Sequence, residues 1–134
     1  LQERLTLIEG HSHDALAASA VTLVASGTAS LEAALFGLPM VIAYRMHPLN
    51  YRIMRRMAYL PWIGLPNILA NDSLVPEFVQ DAAVPAAMGQ SVIDQHDDDA
   101  GRIRLCERFA AIHASLAQGC AQRSAEVLLT IARR

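Results

Sequence analysis

Residues 21–45 have the sequence VTLVASGTASLEAALFGLPMVIAYR, and this stretch decides the fold of the chain. Its first five residues form an almost unbroken apolar run rich in β-branched side chains, which is typical of a strand covered on both faces. From Thr28 the apolar residues follow a helical period, and Gly37 followed by Pro39 predicts where that helix ends. Residues 40–44 are again apolar and strand-like. The stretch therefore predicts a βαβ unit with a polar, glycine-containing corner.

The segments on either side extend this α/β pattern. We expect strands over residues 5–8 and within residues 60–65, and a turn at residues 71–73. Ser12 or Asp14 would cap a short first helix. The further helices are expected over residues 15–18, 49–59, 76–79, 83–93, 100–116 and 121–132. Four strands that alternate with helices predict a parallel sheet, followed by helices alone.

Composition limits the class of protein. The 134 residues suffice for one domain with its own core, and 53% of them are hydrophobic. A net charge of -2 argues against nucleic-acid binding by the chain as a whole. Cys106 and Cys120 are too few for a zinc site or a disulfide framework. We interpret them as buried thiols of a reducing compartment, the cytoplasm. No apolar run reaches the ~18 residues of a transmembrane helix.

The first expected strand begins only five residues into the chain, which suggests a piece of a longer protein. A change of character near residue 81 predicts two parts: a sheet-containing unit over residues 1–80 and a helical segment over residues 81–134. Within the helical segment, residues 94–99 are expected to form an acidic, solvated link between two helices. One face of the helix that follows is expected to contain Ile103, Cys106, Phe109, Ala110 and His113.

Polar corners follow the expected strands, and ligands of open parallel sheets bind beyond the carboxyl ends of the strands. At Ser26, Gly27 and Thr28 the start of a helix offers free N–H groups and a positive dipole end, which suit a phosphate. The alternative is a plain N-cap by Thr28. Glu32 is four residues after Thr28 instead of the three of a capping box, so its carboxylate leans back toward the corner. It can accept two hydrogen bonds from a ribose diol, or simply complement the helix dipole.

Arginines follow this unit. Arg45 leaves the end of a strand, where a cation can balance a diphosphate. Arg52, Arg55 and Arg56 lie on one face of the next expected helix, and no acid occurs between Arg45 and Asp72. This basic surface predicts an anionic membrane as a partner, with an ordinary solvated helix face as the alternative.

Two other types of site are disfavoured. His11 and His13 lack carboxylates or cysteines at metal-binding spacing, so we expect no metal. Ser26 lacks the G-x-S-x-G context of a hydrolase nucleophile.

Three blocks identify a family. ASGTASLEAALFGLPMVIAYR (residues 25–45), GLPNILA (64–70) and LVPEFVQ (74–80) closely resemble the C-terminal part of lipid-A-disaccharide synthases, in the family's order and spacing. The first block alone would indicate only the wider class of nucleotide-sugar glycosyltransferases with two Rossmann-like domains. Asn71 and His11 depart from the family's usual glycine and glutamine.

The resemblance implies the C-terminal donor domain of a GT-B glycosyltransferase, a partial Rossmann-like sheet followed by helices. Such an enzyme is inverting and metal-independent, works peripherally on the inner face of the inner membrane, and releases UDP. It transfers 2,3-diacylglucosamine from UDP to 2,3-diacylglucosamine 1-phosphate and so forms the β-1,6-linked lipid A disaccharide. The implied site residues are Ser26, Gly27, Thr28, Ala29, Glu32 and Arg45 for UDP, with Asn67, Glu77 and Gln80 near the donor sugar.

In this family the N-terminal domain supplies the acceptor site and the general base, so the chain alone is expected to be inactive. Arg45 is the one candidate here for stabilising the leaving group. Exposed apolar helix faces and a sheet edge predict that the chain self-associates. Two alternatives remain at this stage: an inert α/β association module, and the donor domain of a UDP-sugar epimerase.

Overall fold

The computed structural model describes residues 5–25 and 27–132, and a three-stranded parallel sheet lies at its centre. The strands are β1 (Thr22–Ala25), β2 (Met40–Tyr44) and β3 (Glu77–Val79), in the order β1-β2-β3. Thr22 pairs with Met40, and Ile42 pairs with Glu77. The mixed α/β fold with a parallel sheet and following helices is confirmed.

Seven α-helices accompany the sheet in the described part of the chain. In order they are α1 (Ser12–Ala17), α2 (Thr28–Leu35), α3 (Pro48–Met57), α4 (Leu65–Ala70), α5 (Pro85–Asp97), α6 (Asp99–Leu116) and α7 (Cys120–Ala132). A single 3₁₀ turn, Gln80–Ala82, follows β3. The βαβ unit of β1, α2 and β2 is as predicted. Gly37, which has a φ of +70°, lies just after the end of α2, where the helix was expected to stop.

The core forms around the central strand. Met40, Val41 and Ile42 of β2 are completely buried. Met40 and Ile42 share one cluster with Ala33 of α2 and Phe109 of α6, while the intervening Val41 lies outside it, as alternation along a strand requires. Helix α5 contacts β2, and α6 contacts both α2 and α4. The small alanine side chains of α2 let this helix approach the sheet closely.

Two of the four expected strands are absent from the described structure. Residues 5–8 have no strand and are exposed, Leu7 almost fully. Residues 60–64 bend and lead into α4, whose first turn contains Pro66. An apolar run becomes a strand only where a neighbouring backbone can satisfy its N–H and C=O groups. Neither segment has such a neighbour in the described sheet.

The third strand lies where a short helix was expected. Residues 77–79 form β3 because β2 offers a free backbone edge there, and Ile42 N donates to Pro76 O at 2.9 Å just before the strand begins. Long-range pairing therefore outweighs the local pattern. Strand β1 also differs from expectation, since it is an edge of the described sheet and Leu23 is 53% exposed. The prediction that β1 is covered on both faces was wrong.

Several helix details also differ. Helix α1 begins at Ser12, and its N-cap is His11, whose side chain makes no capping hydrogen bond. Neither Ser12 nor Asp14 is therefore the cap. Asp14 instead contacts His11, with Oδ2 3.0 Å from Nδ1. The acidic residues 94–99, expected as a link, are mostly helical. Only Asp98 lies between the end of α5 and the start of α6. Asp98 Oδ1 accepts a hydrogen bond from Gly101 N at 2.7 Å and so caps α6.

The face expected for α6 coincides only in part with its buried face. Phe109 belongs to both and Cys106 is partly buried, but the other buried residues are Leu105 and Ile112, and Ile103 is 64% exposed. The alanine-rich helix has apolar residues on more than one side, so its period alone did not identify the face that α2 and α4 cover.

The two thiols differ in their surroundings. Cys106 is partly buried, and its Sγ donates to Gly37 O at 3.1 Å. Cys120 is exposed at the start of α7, so the expectation that both thiols are buried was wrong.

Candidate functional site at the carboxyl edge of the sheet

The register of the sheet brings three of the sequence-predicted site residues to one edge. Ala25 of β1 pairs with Ala43 of β2, and Gly27 and Arg45 each follow that pair by two residues. Gln80 immediately follows Val79, the last residue of β3. In parallel sheets this carboxyl edge is where ligands bind.

Gly27 forms the corner between β1 and α2. It has a φ of +119° and is the N-cap of α2, which rules out Thr28 as the cap. Ser30 turns back onto it, since both Ser30 N and Ser30 Oγ donate to Gly27 O, at 3.2 and 2.7 Å. The first N–H groups of α2, at Thr28 and Ala29, have no intrahelical partner and carry the positive end of the helix dipole. The predicted site residue Ser26 lies outside the described residues.

Glu32 lies one turn further along α2. With Ala29 it lines a cavity of about 420 Å³ between α1, β1 and the start of α2. Its side chain is 42% exposed, and Oε2 lies 3.8 Å from Nε2 of His13. The His13 ring also contacts Phe36, with centroids 5.8 Å apart. His13 thus lies beside Glu32, the residue predicted to bind the ribose. The sequence alone did not indicate this contact.

Arg45 is exposed, and a clamp fixes the segment that carries it. Met46 N donates to Gln80 Oε1 at 2.7 Å, and Gln80 Nε2 donates to Met46 O at 3.0 Å. Gln80 itself has a φ of +55°. This pair of bonds continues the pairing of β2 with β3 past their ends. The Gln80 amide therefore holds the Arg45 segment in place.

Asn67 is completely buried in α4, and its amide is fully used. Its Nδ2 donates to Val75 O and to Glu77 Oε1, both at 2.8 Å. Its Oδ1 accepts from Leu74 N at 2.9 Å and from Val75 N at 3.0 Å. These bonds fasten α4 to the segment that enters β3.

Glu77 is the second member of this network. Besides the bond from Asn67, its Oε1 accepts from Gly64 N at 2.9 Å and its Oε2 accepts from Ile63 N at 2.8 Å. The carboxylate thereby fixes the end of the loop between α3 and α4. In this structure the polar atoms of Asn67 and Glu77 bind backbone groups and each other, and direct contact with the donor sugar stays a prediction for both.

A second cavity at the same edge escaped the sequence reasoning. It has a volume of about 440 Å³ and lies between α3 and the ends of β2 and β3. Tyr44, Met46, Tyr51, Met54 and Val79 line it. Two sequence signals could have revealed it: Tyr44 and Met46 alternate around Arg45, and apolar or aromatic residues recur at helical spacing in α3.

Helix α3 lies on the surface, with no buried residue. Arg52, Arg55 and Arg56 are all exposed, and no salt bridge joins any of them to another described residue. Ile53 and Met57 are exposed as well, at 51% and 70%.

Two features are absent from the described residues. Within residues 5–25 and 27–132, no three His, Cys, Asp or Glu side chains form a group that could hold a metal ion. None of the described helices combines the length and the apolar character needed to span a bilayer.

Comparison with known proteins gives consistent matches. A family model described as lipid-A-disaccharide synthetase matches residues 1–130. Curated lipid-A-disaccharide synthases from Azoarcus sp. and Verminephrobacter eiseniae are 53% and 52% identical, over 93% and 96% of this chain. The protein of that name from Pseudomonas aeruginosa is 47% identical over 97% of the chain. The chain spans about a third of the length of these relatives, 32–34%.

Proposed function

The chain belongs to the lipid-A-disaccharide synthase family, and on this premise we propose that it is the UDP-binding part of an inverting hexosyltransferase. The whole enzyme would transfer 2,3-diacylglucosamine from its UDP donor to 2,3-diacylglucosamine 1-phosphate. The products would be the β-1,6-linked lipid A disaccharide and UDP. The family match over residues 1–130 supports this proposal. The same match gives no support to the epimerase or to an inert association module.

The observation that carries the proposal is the shared position of Gly27 and Arg45 at the carboxyl edge. The start of α2 and the exposed Arg45 guanidinium would both face the diphosphate of the donor. Negative charge develops on UDP as the glycosidic bond breaks, and fixed dipoles and cations stabilise such charge without reorganisation. These groups would serve as a metal does in other transferases. Glu32 would accept hydrogen bonds from both ribose hydroxyls.

The three residues near the donor sugar would act through the loops they hold. Gln80 fixes the Arg45 segment, and Glu77 with Asn67 fixes the end of the loop before α4. A donor sugar bound beyond β2 and β3 would meet these loops. We propose on the same grounds that residues 1–80 form the donor-binding unit and that residues 81–134 support it.

Glu32 provides the direct test. Titration calorimetry with UDP would compare the full-length enzyme with its Glu32→Ala variant. We expect the affinity to fall by roughly tenfold or more, because a hydrogen bond to a charged group contributes about 1.5–3 kcal/mol. Glu107→Ala, which removes an exposed carboxylate from α6, is the matched control and should bind UDP normally. Equal UDP affinity in Glu32→Ala and the unaltered enzyme would refute the ribose role.

The exposed arginines of α3 support a peripheral position on an anionic membrane, which we propose to be the inner face of the inner membrane. Each basic residue near an anionic surface contributes about 1 kcal/mol. The double variant Arg52→Gln/Arg56→Gln should therefore bind anionic vesicles less tightly, while Arg123→Gln on α7 should not differ from the unaltered protein. Cosedimentation with anionic and with neutral vesicles measures both. Unchanged binding of the double variant would exclude this surface.

We also propose that the 134 residues alone bind the donor without turnover and self-associate. The acceptor site and general base would come from other parts of the enzyme. Exposed apolar side chains of α7, such as Leu128 at 67% and Ile131 at 65%, offer a surface for association. Detectable disaccharide formation by the chain alone would contradict the first statement. A monomeric sedimentation profile over a tenfold range of concentration would contradict the second.

A further inference from the structure

We infer that the cavity between α3 and the carboxyl ends of β2 and β3 binds one fatty acyl chain of the acylated nucleotide-sugar donor. This inference rests on the function proposed above, because it assigns a location to the lipid part of that substrate. The cavity's volume of about 440 Å³ falls within the range of roughly 300–1,000 Å³ that is typical of small-molecule sites.

The lining of the cavity suits hydrocarbon. Tyrosine rings and aliphatic side chains surround it, and Met46 and Met54 contribute flexible thioethers that adapt to chains of variable shape. Val79, the last residue of β3, is among the aliphatic residues that line it. An apolar ligand there would remove tyrosine rings and methyl groups from water, which is the favourable term in such binding.

The charge at this cavity suits a ligand that carries an anionic headgroup. Arg55 is the only formally charged residue among those that line it, and no described residue forms a salt bridge with it. An arginine can lay its aliphatic stem along an apolar wall and keep its guanidinium in water. Arg55 can therefore accompany a chain inside the cavity while attracting the phosphates outside it.

The cavity adjoins the segment that carries Arg45, the proposed ligand of the diphosphate. Tyr44 and Met46 line the cavity, and Arg45 lies between them in the chain and is exposed. Neighbouring residues of an extended segment project to opposite sides. The backbone at Arg45 thus separates a cationic side from an apolar side, and the Gln80 clamp keeps it in that position. A donor whose diphosphate meets Arg45 has its acyl chains within reach of the cavity.

Helix α3 would gain apolar contacts from such a ligand. It buries none of its residues, although Tyr51 and Met54 line the cavity together with residues of β2 and β3. An acyl chain would supply the apolar contacts that this helix lacks, and the helix should become more ordered when the chain is bound.

The test compares two methionines of α3 in the full-length protein. Met54 lines the cavity and is 51% exposed, whereas Met57 is 70% exposed and is not part of the lining. Met54→Ser and Met57→Ser therefore make the same chemical change inside and outside the cavity. Calorimetry would use two probes, UDP and a short-chain UDP-2,3-diacylglucosamine kept below its micellar concentration, without any membrane. Ala58→Trp, which fills the cavity from the end of α3, provides a second and independent perturbation.

We expect Met54→Ser to weaken binding of the acylated probe about tenfold, equivalent to about 1.4 kcal/mol, while its UDP affinity stays unchanged. Ala58→Trp should act in the same direction, and Met57→Ser should alter neither affinity. If Met54→Ser and Met57→Ser bind the acylated probe equally well, the acyl site is refuted while UDP binding still supports the proposed function. If calorimetry shows no change for either variant but cosedimentation shows that both bind anionic vesicles less tightly, the cavity belongs to a membrane surface and the acyl site is refuted.

Two further outcomes would also overturn the inference. If Met54→Ser lowers the melting temperature and weakens both probes equally, a protein segment occupies the cavity in the full-length enzyme. If the unaltered protein binds neither probe, the proposed function fails together with the acyl site.

Discussion

Removing the side chain of Asn67 should be among the most damaging single substitutions in the chain. Asn67→Ala deletes four hydrogen bonds from a completely buried position. Two of the groups left without a partner, Val75 N and Val75 O, are themselves buried. An unsatisfied buried polar group costs about 1–3 kcal/mol, so these two groups alone predict a loss of about 3 kcal/mol. That is a large share of the ~5–15 kcal/mol by which domains are stable.

Asn67→Asp separates the shape of the side chain from its hydrogen-bonding pattern. The aspartate oxygen in the position of Oδ1 can still accept from Leu74 N and Val75 N. The other oxygen replaces Nδ2, which lies 2.8 Å from both Val75 O and Glu77 Oε1. Two favourable bonds become two repulsive contacts, one of them between carboxylates. We expect this nearly isosteric variant to be no more stable than Asn67→Ala.

Equilibrium urea unfolding followed by circular dichroism measures these effects. Asn50→Ala, which alters an exposed asparagine of α3, is the matched control and should change the free energy of unfolding by less than about 0.5 kcal/mol. If Asn67→Ala loses less than about 1 kcal/mol, or if Asn67→Asp is as stable as the unaltered chain, the amide does not fasten α4 as described.

Substitutions at three further residues test the same edge. Gly64→Ala would place a Cβ against Ile42 Cδ1, and because Ile42 is fully buried it cannot move aside; we expect a loss of about 1–3 kcal/mol in urea unfolding. Gln80→Ala removes both hydrogen bonds to Met46, so we expect it to lower the free energy of unfolding by about 1–2 kcal/mol and to weaken UDP binding in calorimetry. Gln80→Gly should be less destabilised, because glycine adopts the φ of +55° without strain. Gly27→Ala meets no neighbour within 4 Å, so its expected cost of about 1–2 kcal/mol comes from the φ of +119° alone, and an unchanged melting temperature would contradict it.

The sequence predicted those parts of the fold that local pattern determines. The βαβ unit of residues 21–45 has a strand period, then a helical period with a glycine at its end, and the structure contains β1, α2 and β2 there. The long helices α6 and α7 also lie close to their expected ranges. In each case the period of the apolar residues and the turn residues agree.

The sequence did not predict features that depend on a distant partner. Residues 77–79 become a strand only because the edge of β2 is free beside them, while residues 5–8 have no such neighbour in the described sheet. For the candidate site, the position of Gly27 and Arg45 at one edge followed from strand order. The cavity beside α3 did not, because it depends on how α3 lies against β2 and β3.

The hydrogen-bond partners of Asn67, Glu77 and Gln80 change the interpretation of these three residues. Asn67 and Glu77 belong to two separate blocks of sequence, yet one hydrogen bond joins them. Asn67 also binds backbone groups just before β3, and Glu77 binds backbone groups just before α4. Gln80, three residues after Glu77, joins the end of β3 to Met46. The three side chains therefore form two clamps that fix the loops around Arg45 and before α4. In the mechanism proposed above, fixed dipoles and cations at this edge would stabilise the leaving group, and this would require those loops to be rigid. Side chains that hold the backbone would then be as necessary as side chains that touch the ligand.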